Sequence, residues 1–71
     1  MNSRGPMITV HMIPTGQTRE IPKPNTVRQL MNRLKLRQMD ALIIRGDEML
    51  TFDRSINDGD HITVRLVGSR G

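Results

Sequence analysis

Asn25-Thr26-Val27-Arg28-Gln29-Leu30-Met31-Asn32-Arg33-Leu34 carries the clearest local folding signal in this sequence. Thr26 can serve as a helix N-cap. Gln29, three positions on, completes a capping box by returning its side chain to the Thr26 amide. Val27, Leu30, Met31 and Leu34 then recur at i, i+3, i+4, i+7, the spacing of one helical face. The pattern predicts a helix from about Val27 to Leu36, its remaining surface populated by Arg28, Arg33, Lys35 and Arg37. Lys35 and Arg37 sit where the negative end of the helix dipole favours cations.

On the N-terminal side, Met7 to Ile13 alternates, with Ile8, Val10 and Met12 on one face and Thr9 and His11 on the other. A period of two over this length predicts a half-buried strand. Pro14-Thr15-Gly16 reads as a turn, and Gln17 to Ile21 as a strand returning beside the first. Pro22 and Pro24 stop the pairing, and residues 1–6, broken by Gly5-Pro6, are expected to be a loose extension. On the C-terminal side, Ala41 to Arg45 reads as a buried strand, and Gly46-Asp47 turns it toward a brief return at Met49-Leu50. Asn57-Asp58-Gly59-Asp60 is a tight turn into a last alternating strand, His61 to Val67, with Ile62, Val64 and Leu66 on one face.

One helix cannot cover both faces of a sheet, so these elements imply an α+β domain with the helix across one face of a mixed sheet of four or five strands. Ile8, Val10, Met12, Leu42, Ile44, Ile62, Val64 and Leu66 are the candidates for the layer beneath the helix. The other face is then the polar one, and His11 and His61 belong there or at strand edges.

With 71 residues there is room for one small domain. A chain of this length buries only roughly 60% of its unfolded surface. Phe52 is the only aromatic residue, so the core must come from aliphatic side chains and the six Met. Zero Cys excludes a disulfide framework, a thiolate nucleophile and a zinc site built on sulfur. Two separated His show no ligand spacing, so no metal site is expected. No nucleophile or cofactor loop stands out either, and the chain is read as a non-enzyme with no bound cofactor. There is no stretch of membrane-spanning length and no signal-peptide pattern, which makes the cytoplasm the expected location and a monomer the expected state. Eleven Lys and Arg against seven Asp and Glu give a formal charge of +4, a balance that favours acidic partners.

Three pieces in fixed order carry a family resemblance. Asn25-Thr26-Val27-Arg28-Gln29-Leu30-Met31 looks like a T-V-x-x-L helix opening. Ile56-Asn57-Asp58-Gly59-Asp60-His61-Ile62 looks like a V-x-D-G-D-x-V turn into the final strand. Val67-Gly68-Ser69-Arg70-Gly71 occupies the place of a Gly-Gly terminus. From Met7 to Gly71 the chain resembles the ubiquitin-like β-grasp fold, and more closely its sulfur-carrier branch, the ThiS/MoaD family. The resemblance implies a domain over 7–67 and a mobile tail over 68–71.

It also implies a chemistry. An adenylating partner related to ubiquitin-activating enzymes consumes ATP to activate the terminal carboxylate, and sulfur then replaces the adenylate. The resulting thiocarboxylate is delivered to a sulfur-accepting synthase of thiamine or molybdopterin biosynthesis, or to tRNA thiolation. Carried onto this chain, the attachment residue is Gly71, with Gly68, Ser69 and Arg70 as tether. Arg70 departs from the family's penultimate Gly and sets a guanidinium beside the reactive carboxyl. Met49, Phe52 and Arg65 are the expected partner-docking residues, with Met49 and Phe52 either on an exposed patch of the sheet face near the last strand or filling the core.

Two other functions share these residues. A protein modifier would use the same activation of Gly71 but pass it to a lysine. A β-grasp binding module without carrier chemistry would bind protein or an RNA backbone through Arg28, Arg33, Arg37, Arg45 and Arg65. Such phosphate contacts would be steeply salt-dependent, and the missing aromatic platform argues against reading single strands.

Overall fold

The alternating segments at the two ends of the chain pair with each other, and the rest of the sheet is built around that pair. The computed structural model describes residues 5–67. In chain order its elements are β1 (Met7–Ile13), β2 (Gln17–Pro22), α1 (Val27–Arg33), β3 (Ala41–Arg45), β4 (Glu48–Met49) and β5 (His61–Leu66). The five strands form one mixed sheet in the order β2-β1-β5-β3-β4. β1 and β5 run parallel, with Val10 opposite Ile62 and Met12 opposite Val64. The other neighbours are antiparallel. The chain is therefore an α+β protein with one short helix on one sheet face. Among the described residues no helix is long and apolar enough to cross a membrane.

The helix buries Val27, Leu30 and Met31 against Ile8, Val10, Ile62 and Val64, all nearly or wholly inaccessible to solvent. Leu34, Leu36, Phe52 and Leu66 pack around that centre, half-buried. Among the described residues no polar or charged side chain is fully buried, so this core carries no desolvated group in need of a partner.

The face of β3 differs from expectation. Ala41 and Ile43 are buried, while Leu42 and Ile44 point to the open face. The register decides this, because Ala41 stands opposite Leu66 and Ile43 opposite Val64, and directly paired residues share a face. Ala41-Leu42-Ile43-Ile44 is apolar at both parities, so alternation could not choose between them. The return strand is likewise Glu48–Met49, and Leu50 turns inward, its N–H donating to the Ile43 carbonyl at 2.8 Å.

The start of α1 is satisfied by a neighbouring loop as well as by its own cap. Val27 N–H donates to the Arg54 carbonyl (3.1 Å) and Arg28 N–H to the Phe52 carbonyl (3.2 Å). Gln29 N–H donates to Thr26 Oγ1 (3.3 Å) and Leu30 N–H to the Thr26 carbonyl (3.0 Å). Val27, Arg28 and Gln29 are helical residues whose N–H groups have no internal partner, whereas the Leu30 bond is the first of the helix itself. The capping box is present in altered form: Gln29 Oε1 accepts from Asn25 N–H at 2.9 Å, one residue before the expected Thr26 amide. Thr26 forms an isolated antiparallel bridge with Ser55, held by its neighbours: Val27 N–H donates to the Arg54 carbonyl and Ile56 N–H to the Asn25 carbonyl, both at 3.1 Å.

The helix stops at Arg33, three residues short of the expected Leu36. Lys35 takes a left-handed φ of 61°, its N–H donates to the Asn32 carbonyl, and Leu36 N–H reaches back to the Met31 carbonyl at 2.9 Å. This is a Schellman termination, which normally uses Gly at the left-handed position. Leu36 is thereby returned to the core, and its burial holds a Lys in a strained conformation.

The Asn57–Asp60 turn ties both ends of the domain together. Gly59, at φ +81°, donates its N–H to the Met7 carbonyl at 2.8 Å, and Met7 N–H donates to Asp58 Oδ1 at 3.0 Å. Asp60 Oδ2 accepts from Asn57 N–H (2.9 Å) and from Arg45 Nη1 (2.8 Å), and the Asp60 carbonyl accepts from Thr9 N–H (2.9 Å). Asp60 is thus bound to its own turn, to β1 and to β3.

Two stability changes are expected from urea denaturation. Lys35→Gly relieves the left-handed strain and should stabilise the domain by about 0.5–1 kcal/mol; a loss would mean that the Lys35 side chain contributes something the backbone argument omits. Asp60→Ala leaves Asn57 N–H without its acceptor and the partly buried Arg45 guanidinium without its counter-charge. It should cost about 1–3 kcal/mol, and a change below about 0.5 kcal/mol would rule out this linking role.

Candidate functional site

The sheet face away from α1 is open, and its composition can be read row by row from the register. One row is Ile13, Arg65 and Leu42, across β1, β5 and β3. The next is Thr18, His11, Thr63, Ile44 and Met49, across all five strands. A third is Glu20, Thr9 and His61. Ile13 (36%), Leu42 (37%) and Met49 (59%) are among the few large apolar side chains left exposed, so this face is less polar than its alternation suggests. The exposed apolar groups gather on the β1–β5–β3–β4 part, and the polar ones on the β2 side.

The chain leaves β5 at the edge of the apolar part. Val67 N–H donates to the Asp40 carbonyl at 3.0 Å, which pins the end of β5 beside the start of β3. Val67 is itself 38% exposed and lies two residues beyond Arg65. Gly68, Ser69, Arg70 and Gly71, the expected tether and attachment residue, lie outside the described residues.

The three expected docking residues do not form one cluster. Met49 and Phe52 line a shallow hollow of about 180 Å³ with Met31, Leu42 and Leu50. Phe52 is half-buried and packs on the core, and the Arg28 guanidinium lies 5.8 Å from its ring centroid. Of the two placements expected for Phe52, this is core filling and not an exposed patch. The sole aromatic ring is more useful filling the edge of an aliphatic core, where a cation can also cover its face. Arg65 lines a separate depression of about 380 Å³ with Ile13, Pro14 and Leu66. Leu42 connects the two, lining the first hollow and standing opposite Arg65.

Ile13, Leu42 and Ile44 were not among the expected docking residues. For Ile13 a signal existed, since it shares the parity of Thr9 and His11 and is apolar. For Leu42 and Ile44 nothing in β3 alone could have shown it.

His11 and His61 stack on the open face, ring centroids 5.7 Å apart and planes 14° apart. His11 Nδ1 lies 3.3 Å from Thr18 Oγ1. Among the described residues no group of three His, Asp or Glu side chains is placed to hold a metal ion.

The basic residues divide between surfaces. Arg45 is paired with Asp60, and its Nη1 also donates to the Ser55 carbonyl at 3.2 Å. Arg54 pairs with Glu48 at 2.8 Å, and that pairing holds the Glu48 carboxyl below the usual carboxylate range. Arg65 is on the open face, and Arg28, Arg33 and Arg37 are on the helix side. The five arginines grouped from sequence are therefore not one surface. No protein-family model matches this chain, and no curated protein sequence matches it.

Proposed function

We propose that the chain is a β-grasp domain acting as a sulfur carrier of the ThiS/MoaD type, activated on Gly71. The observation that carries the reading is the exit of the chain from β5 beside an exposed apolar sheet face. A partner enzyme that grips Ile13, Leu42 and Met49 would hold the body of the domain while the following residues reach its catalytic slot. The strand order β2-β1-β5-β3-β4 with a single helix across one face supports the β-grasp assignment.

The chemistry needs only a free carboxylate on Gly71. Attack of one carboxylate oxygen on the α-phosphorus of ATP forms the acyl-adenylate and releases pyrophosphate. A sulfur nucleophile then adds to the activated carbonyl and expels AMP, leaving a thiocarboxylate. A carboxylate is a poor electrophile, and the mixed anhydride supplies the leaving group it lacks. The domain's own contribution is recognition and presentation: the apolar face docks, and Arg65, between Ile13 and Leu42, offers a charge to an acidic rim on the partner. Arg70 requires a partner whose slot admits a guanidinium next to the reacting carbon.

Incubation with ATP, a sulfide source and the activating enzyme of the same organism, followed by a thiol-directed alkylating probe and peptide mapping, tests this directly. The chain has no Cys, so label on the peptide ending in Gly71 can come only from a new sulfur group. No label, with the enzyme active on a Gly-Gly carrier, would refute carrier chemistry. Leu42→Asp and Met49→Asp, both at exposed positions, should each lower kcat/KM for adenylation by about tenfold or more while leaving the melting temperature within a few degrees. Unchanged kinetics would remove the open face from the docking account. Arg70→Gly should raise adenylation by a Gly-Gly-specific enzyme.

A further inference from the structure

The charge of this protein is concentrated in one continuous part of the chain. Residues 21–39 contain Lys23, Arg28, Arg33, Lys35 and Arg37 and not one Asp or Glu. The remaining residues hold six basic against seven acidic side chains, so the formal charge of +4 originates entirely in this span. It comprises the end of β2, α1 and the loop that follows, on the side of the sheet opposite the open face. Arg28, Arg33, Lys35 and Arg37 are exposed and Lys23 is half-exposed.

At 100° per residue the outer arc of α1 reads Arg28, Asn32, Gln29, Arg33, two guanidinium groups flanking two amides. Arg28 leans toward Phe52, and Arg33 leans the other way, its Nη1 donating to the Pro22 carbonyl at 2.8 Å. Both are thus splayed to the sides of the helix, with Lys35 and Arg37 beyond its end. Among the described residues the ion pairs are Arg45–Asp60 and Arg54–Glu48, and neither takes a cation from this surface. Two carboxylates border it: Asp40 accepts from Arg37 N–H at 2.8 Å, and Asp53 accepts from Thr51 at 2.7 Å.

Chemistry narrows the partner. A protein interface has an apolar centre, yet the only large apolar side chain exposed in this span is Met39, at its far end. A membrane surface would also call for apolar insertion. Neither hollow described above is lined by these cations, so neither offers them an enclosed site for a small anion. What remains is an extended polyanion met by a convex, polar, arginine-rich face. With Phe52 turned into the core edge, no ring on this side of the domain is free to stack on unpaired bases. We infer that the α1 side of this domain binds the phosphate backbone of double-helical nucleic acid, without base readout. The inference is independent of the carrier reading, which uses the opposite face.

The test is fluorescence anisotropy with a labelled DNA duplex of mixed sequence across a range of salt concentrations. Three contacted phosphates would give a slope of about −3 in log K against log salt. The triple variant Arg28→Gln, Lys35→Gln, Arg37→Gln should lower affinity by about tenfold or more and flatten the slope toward zero. Arg65→Gln, on the open face, should leave both unchanged, and Arg28→Lys with Arg37→Lys should retain binding. That conservative pair and a far-UV circular dichroism spectrum separate lost contacts from lost folding. The inference is overturned if the duplex shows no salt-dependent binding, or if Arg65→Gln weakens it as much as the triple variant. Equal competition by polyglutamate or by anionic lipid vesicles would also overturn it.

Discussion

The parallel pairing of β1 with β5 organises the whole sheet. It joins the two ends of the described chain at the centre of the sheet and places Ile8, Val10, Ile62 and Val64 under the helix. Neither strand has another parallel partner, and each supplies the template for one outer strand, β2 on β1 and β3 on β5. The link is long-range, so it carries a large chain-closure entropy, which only simultaneous burial of the helix face can offset. In a domain with no Cys and a single aromatic ring, that aliphatic contact has no covalent substitute.

The loops are fitted to that centre. Asp60 bonds its own turn, β1 and β3, and so fixes where β5 begins relative to both of its neighbours. The Phe52–Arg54 segment supplies carbonyls to the first amides of α1, and the Schellman turn at Lys35 sends Leu36 back into the core. Each device satisfies backbone groups that a short helix leaves open. A seven-residue helix is too short to be stable by itself, and here its order comes from packing and from the loops at both of its ends.

Two surfaces of different chemistry result. The open sheet face is mixed, with apolar groups near the exit of β5, two stacked imidazoles and Arg65. The helix side is cationic and nearly free of exposed apolar groups. A domain gripped by an enzyme on one face and drawn to a polyanion on the other could engage both at once, because the sheet separates them.

Alternation alone determined β1 and β5 and their buried sides, and the Thr26–Gln29 pair with the i, i+3, i+4, i+7 spacing determined where the helix starts and which side it buries. These were legible because each rests on contacts within a few residues, where side-chain chemistry and backbone period are written in the same stretch. The mixed sheet with a helix on one face followed from the element order. The parity of β3 was decided by tertiary structure, since a run apolar at both parities takes its face from the strand it pairs with. So was the helix end at Arg33, where burial of Leu36 outweighs the helical preference of the intervening residues. The composition of the open sheet face was half legible, because Leu42 and Ile44 are placed there only by register. The division of the arginines was legible as charge but not as surface, because pairing partners such as Asp60 for Arg45 come together only when distant strands align.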